Sequence, residues 1–191
     1  RGLSSPQAGW TASRTGYMAT ARQWSDHLTQ PVIIIPAYEP DDELLNLVRT
    51  LLDSPEQRII VVNDGSSEGC RHVLDDLAEL DRVEVLRHAT NLGKGQALKT
   101  AINHFLVAYP EDCPGIVTAD ADGQHIPSDI LAMADCLKTQ PDRLWLGSRQ
   151  FSKKMPARSQ IGNRLTSRVY GIMVGQPISD TQTGLRGIPR F

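Results

Sequence analysis

A chain of 191 residues with 40% hydrophobic content is long enough for one packed domain and too short for several. Its net charge of −2 excludes nucleic acid as a partner held by bulk attraction, and no apolar run approaches the roughly 18 residues of a membrane span. The charge is unevenly placed: residues 1–142 hold 11 Lys/Arg against 21 Asp/Glu, whereas residues 143–191 hold nine Lys/Arg and a single acid, Asp180, so the last quarter is expected to meet an anion such as phosphate or a lipid headgroup.

Residues 1–30 are rich in Ser, Thr, Gly, Arg and Gln and show no period, so they read as a poorly ordered tail with Met18 a candidate start; the folded domain is expected over 31–191. Val32–Ile35 is a short β-branched strand that Pro36 should end. Asp41 and Asp42 open a helix with an apolar stripe at Leu44, Leu45, Val48, Leu51 and Leu52, its acids placed at the positive helix end. Arg58–Val62 is a second strand, Asn63–Ser67 a turn, and Val73, Leu74, Leu77 and Leu80 mark the next helix. Val83–Arg87 is a third strand, followed by the Gly-rich loop Asn91–Gly95 and a helix with Ala97, Leu98, Ala101, Ile102, Phe105 and Leu106 on one face. Gly115–Ala119 is a fourth strand. Pro127 and Ser128 open a helix through Ile130, Leu131, Ala134 and Leu137, and Arg143–Gly147 is a fifth strand. A basic stretch leads to a helix through Ile161, Leu165, Val169 and Ile172, and Thr183–Pro189 ends the chain as a further strand. The stop at "GIPRF", without a terminal helix or polar tail, leads us to expect truncation at the C-terminus.

Short apolar strands alternating with helices specify an α/β fold, a mainly parallel sheet with helices on both faces. Ligands of such sheets bind at the carboxyl ends of the strands. There stand Tyr38 and Glu39, Asp64, the "NLGKG" loop, Asp120–Gln124, and Ser148 with Arg149. The polar chemistry gathers at one edge.

"DADGQ" puts two carboxylates one residue apart at the exit of an apolar run, where like charges repel. A divalent cation, a phosphoryl-transfer nucleophile or a solvated turn would each account for the pair. Asp120, Asp122 and the Gln124 amide offer the oxygen ligands that Mg²⁺ or Mn²⁺ wants. The EF-hand pattern fails, since Gly123 stands at its fourth position rather than its sixth. Asp64 could accept from a nucleobase or cap the next helix. "NLGKGQ" lacks the Walker hydroxyl, because Gln96 follows Gly95. Gly93 and Gly95 still permit close backbone approach and Lys94 can neutralise phosphate, although a plain Gly-rich turn reads almost as well. Arg149, Lys153, Lys154, Arg158 and Arg164 form a basic cluster suited to phosphate. His125 could be a ligand, but is rather expected to hydrogen-bond near the site. The three cysteines lie in no metal spacing and suit a reducing compartment.

In order, "VIIIPAYEP", "IIVVNDGSSEG", "RHATNLGKGQAL", "VTADADGQHIPSDI", "LGSRQF" and "SDTQTGLRG" resemble the family 2 glycosyltransferases of GT-A fold. The likeness is strongest to the branch of dolichol-phosphate mannose synthases and bacterial polyprenyl-phosphate glycosyltransferases, and it covers about residues 31–190. It implies a Rossmann-like sheet and a nucleotide pocket lined by Pro36, Tyr38 and Glu39, with Asp64 reading the base. Gly93, Lys94 and Asp120 would also meet the nucleotide-sugar. The metal and diphosphate cluster falls on Asp120, Asp122 and Gln124, the acceptor-phosphate arginines on Arg149 and on Arg158 or Arg164. Asp180 would stand near the donor sugar, making Asp122 and Asp180 the catalytic candidates. The last arginine's register is open, since "MPARS" replaces the usual aromatic marker.

The resemblance further implies a metal-dependent, inverting transfer of a hexose from a UDP- or GDP-sugar to a polyprenyl phosphate. The enzyme would sit in the cytoplasm, peripheral at the inner face of the membrane, with a separate or downstream membrane domain. A same-fold transferase acting on a sugar hydroxyl would need a general base, from Asp180 or from the C-terminal part expected to be missing. A haloacid-dehalogenase-type phosphatase fits less well, because its D-x-D stands on the first strand and has Thr where Gln124 stands.

Overall fold

The computed structural model describes residues 28–147 and 184–190. Six strands make one sheet: β1 (Val32–Ala37), β2 (Ile59–Asn63), β3 (Val83–Arg87), β4 (Gly115–Thr118), β5 (Trp145–Leu146) and β6 (Arg186–Pro189). Among the described residues four α-helices intervene: α1 (Asp42–Leu52), α2 (Arg71–Glu79), α3 (Lys94–Ala108) and α4 (Pro127–Thr139). The strand order is β3-β2-β1-β4-β6-β5. The first four pair in parallel, while β6 runs antiparallel between β4 and β5.

The apolar runs are explained by their double burial. Every residue of β1 and β2 is buried. Ile33, Ile35 and Ala37 face a core with Leu44, Val48 and Leu51 of α1, Val73 and Leu77 of α2, and Ile130 and Leu137 of α4. Val32 and Ile34 face the opposite core, with Ala97, Ala101 and Phe105 of α3. This alternation is the two-residue strand period, and burying each such aliphatic side chain contributes about 1.5–3 kcal/mol.

Three expectations are refined. Pro36 does not end β1, which runs on to Ala37 with Pro36 opposite Val62 of β2. Ile33 bonds toward β2 and Ile34 toward β4, so the missing N–H of Pro36 falls on the β4 side, beyond the last pair at Ile34 and Thr118. Leu28 and Thr29 already belong to the domain: Leu28 is buried beside α3, and Thr29 Oγ1 donates to Glu56. On α3, Leu106 is exposed, because the small Ala97 and Ala101 set the helix against the sheet along a narrower stripe.

α1 is capped as its acids suggest, the Asp41 carboxylate accepting from Glu43 N–H at 3.0 Å. α3 is not: it starts at Gly93, with φ of +90°, has no capping side chain and no acid in its first turn, and its first residue is Lys94. Among the described residues, no helix is long and apolar enough to cross a membrane.

Candidate active site

β1 has β2 on one side and β4 on the other, so the chain's connections diverge at the β1–β4 boundary. The carboxyl ends of these strands border a crevice at this switch point. A cleft of about 360 Å³ opens there, lined by Pro36, Ala37 and Tyr38 after β1, Asp64 after β2, Asn91, Gly93 and Lys94 before α3, and Asp120, Ala121 and Asp122 after β4.

The walls are laced loop to loop. Asp64 N–H donates to Ala37 O, and His88 N–H to Asn63 O, each at 2.9 Å. Asn63 Oδ1 accepts from Ser66 N–H at 2.9 Å. Gly65 adopts φ of +72°, and a Cβ there would lie 2.1 Å from the Thr90 carbonyl carbon, so this turn admits only glycine against its neighbour. Glu39, itself at φ of +50°, accepts from Ser67 N–H at 2.7 Å, from Ser67 Oγ at 2.8 Å and from Cys70 Sγ at 3.1 Å. The Ser67 N–H, then Cys70 and the Ser67 hydroxyl, hold its carboxyl below the ordinary range. Glu39 therefore ties the β1 loop to the β2 loop rather than lining the cleft.

Asp64 is buried, and its carboxylate accepts three bonds: His88 Nδ1 at 2.7 Å and Leu92 N–H at 2.9 Å on Oδ1, and Gly93 N–H at 2.7 Å on Oδ2. Burial alone would raise its pKa. The bonds from Leu92, His88 and Gly93 outweigh that and leave it lowered. Its acceptors are thus largely committed to holding the "NLGKG" loop. His88 Nε2 is in turn 2.9 Å from Thr100 Oγ1 of α3, which fixes the ring.

Asp120 sits deeper than Asp122. Lys94 Nζ bonds its Oδ1, and buried His125 places Nε2 3.6 Å from Oδ2. The third side is Gly184, where a Cβ would lie 2.3 Å from both carboxylate oxygens. Gly184 is held by Thr118 Oγ1, which donates to its carbonyl at 2.7 Å. His125 first, and then Lys94, bring the Asp120 carboxyl down to about 2 against the burial that would raise it. Asp122 is exposed and accepts from Gln124 within its own turn, N–H at 3.2 Å and Nε2 at 2.6 Å.

The expected residues Pro36, Tyr38, Asp64, Gly93, Lys94, Asp120 and Asp122 thus meet in one cleft, with Gln124 beside it on Asp122. Asp180, Arg149, Arg158 and Arg164 lie outside the described residues. Sequence reasoning missed His88 and Gly184, and took Asn91 only as part of the Gly-rich loop. His88 follows β3 directly and could have been found at its strand end; nothing local marks Gly184. Among the described residues no three His, Cys, Asp or Glu side chains gather into a ready cation cage. A hard divalent ion bound together with a diphosphate needs only one or two carboxylates, however. Asp120 and Asp122, both lining the cleft, would offer such oxygens.

A family model described as "Glycosyl transferase family 2" matches residues 32–189. An uncharacterized protein of Methanocaldococcus jannaschii is 31% identical over 81% of the chain and 62% of its own length. A UDP-N-acetylglucosamine–dolichyl-phosphate N-acetylglucosaminyltransferase of Methanococcus voltae is 29% identical over 83% and 68%. A polyprenol monophosphomannose synthase of Mycolicibacterium smegmatis is 28% identical over 83% and 61%. The chain therefore spans about three fifths to two thirds of these relatives' lengths.

Proposed function

The chain belongs to glycosyl transferase family 2, and from that premise we propose that it transfers a sugar from a nucleotide-diphosphate donor to a polyprenyl phosphate. Two relatives whose names specify dolichyl and polyprenol phosphate chemistry support the acceptor class. The observation that carries the donor site is the cleft at the β1–β4 switch point, where Asp120 and Asp122 face Lys94 at the positive end of α3.

In this reading the base lies toward Tyr38 and Asp64, and the diphosphate toward Gly93 and Lys94. Asp120 and Asp122, with the Gln124 amide oriented on Asp122, would hold Mg²⁺ or Mn²⁺. Such an ion supplies charge neutralisation to the departing diphosphate. The anomeric carbon loses its bond to the diphosphate oxygen, whose electron pair leaves with the nucleoside diphosphate. An acceptor phosphate oxygen bonds to the opposite face, inverting the centre. A phosphate monoester is already anionic near neutral pH, so the chain need supply no strong base, and positioning with electrostatics carries the rate. Arg149 and Arg158 or Arg164 would grip the acceptor phosphate, with Asp180 near the sugar. The basic last quarter would meet the anionic membrane surface from the cytoplasmic side.

The test has two arms. Labelled sugar from UDP- and GDP-sugars should enter a lipid extract containing polyprenyl phosphate; label found only in water-soluble product would instead favour a sugar-hydroxyl acceptor. Calorimetry with UDP and GDP, with and without Mn²⁺, should show metal-dependent binding, and Asp122→Asn should abolish it with an unchanged melting temperature. Unaltered binding in that variant would remove Asp122 from the site.

A further inference from the structure

Of the three sides that confine the Asp120 carboxylate, two are fixed and one is not. Gly184 is backbone, pinned by Thr118 and by the strand that follows it. His125 is a buried ring. Lys94 is different: its side chain is 54% exposed, on a flexible stem that reaches across the cleft to Asp120 Oδ1. Its position is also unfavourable for the helix it begins. A cation in the first turn of α3 opposes the helix dipole, and no acid in that turn offsets it. An anion from elsewhere can do so. Asp120 supplies one negative charge; a donor's diphosphate, drawn to the same helix end, would supply more.

We propose that Lys94 is an exchangeable cation: it holds the Asp120 carboxylate until the donor arrives, then yields Oδ1 to the divalent ion and turns to the diphosphate. The proposal rests on the metal-assisted donor site proposed above. Lys94 Nζ and a divalent ion would compete for one oxygen, and two cations within about 4 Å of each other repel at the dielectric of a protein surface. The exchange keeps charge balanced in both arrangements: Lys94 with Asp120, or Lys94 with diphosphate and the ion with Asp120 and Asp122. Asp120 is never left half-buried without a counter-charge, and the ion is bound well only when it brings its diphosphate. Gly184 and His125 keep the carboxylate aimed while its partner changes.

Two opposite effects of one substitution test this. Mn²⁺ alone is titrated into the wild-type chain, Lys94→Met and Lys94→Arg, with free Mn²⁺ read by electron paramagnetic resonance. UDP and GDP are then titrated in the presence of Mn²⁺ by calorimetry. Lys94→Met should bind Mn²⁺ alone about tenfold more tightly, since a repelling charge is gone, and the Mn²⁺–nucleotide about tenfold more weakly, since a phosphate contact is gone. Lys94→Arg should return both toward wild type. Equal or weaker binding of Mn²⁺ alone by Lys94→Met would overturn the exchange while leaving the metal-assisted site standing. Should the wild-type chain bind Mn²⁺ neither alone nor with nucleotide, the metal-assisted site itself would fall, and the exchange with it.

Discussion

Asp120 illustrates how much of a site can depend on the surroundings of one carboxyl. Its pKa of about 2, against an ordinary 3.8, means that the unfolded chain takes up a proton more readily than the folded one as the pH falls. The stabilisation is therefore fully present above the ordinary value and is lost as the pH drops toward 2. It amounts to about 1–2 kcal/mol once the exposure of Lys94 is allowed for. Urea denaturation of the wild-type chain and of Asp120→Asn should show a stability gap that is constant above pH 5 and narrows between pH 4 and 2. A gap independent of pH over that range would contradict the pairing. Asp120 stood out in the sequence as a charge at the exit of an apolar strand, and Lys94 as a charge between two glycines at the start of a helix. Their contact did not, since it joins positions far apart in the chain.

Among the elements, β1, β2 and β4 were legible because strands covered on both faces are apolar, as "VIII" and "IIVV" are. The short edge strand β5 was overextended: Arg143–Gly147 was expected, Trp145–Leu146 is paired, and Leu144 and Leu146 are exposed. An edge strand is covered less fully, so its composition constrains its length less. The loops between elements held a different surprise. Asp64 and Glu39 read as ligand residues, yet each accepts three protein hydrogen bonds and so fixes the loops that shape the cleft. Replacing buried Asp64 by Ala should leave Leu92 N–H and His88 Nδ1 without this acceptor and Gly93 N–H with Asn91 Oδ1 alone, at a cost of roughly 2–4 kcal/mol. Amide exchange at Leu92 and Gly93 should rise well beyond the global change. If exchange rose uniformly over the chain, the loop-anchoring role of Asp64 would be wrong.

For the whole molecule, the feature least visible beforehand is the reversed strand β6, inserted between β4 and β5 although it follows both in sequence. No periodicity encodes strand order; it emerges from which edges find partners. That insertion brings Gly184 flat against Asp120. Gly184→Ala should force the carboxylate aside, because a Cβ at 2.3 Å cannot be accommodated. We expect a stability loss of about 1–3 kcal/mol and at least a tenfold loss of Mn²⁺-dependent nucleotide binding by calorimetry, with the fold retained by circular dichroism. Wild-type binding in that variant would show that the carboxylate does not need its glycine wall.

The same insertion sets an order of events during synthesis. A chain that has left the ribosome only as far as α4 has β1 to β4, their covering helices and both carboxylates of "DADGQ", enough to begin folding as it emerges. It does not yet have Gly184 beside Asp120, or a partner on the free edge of β4. The nascent chain thus carries the charged groups of its cleft before it has the wall that aims them.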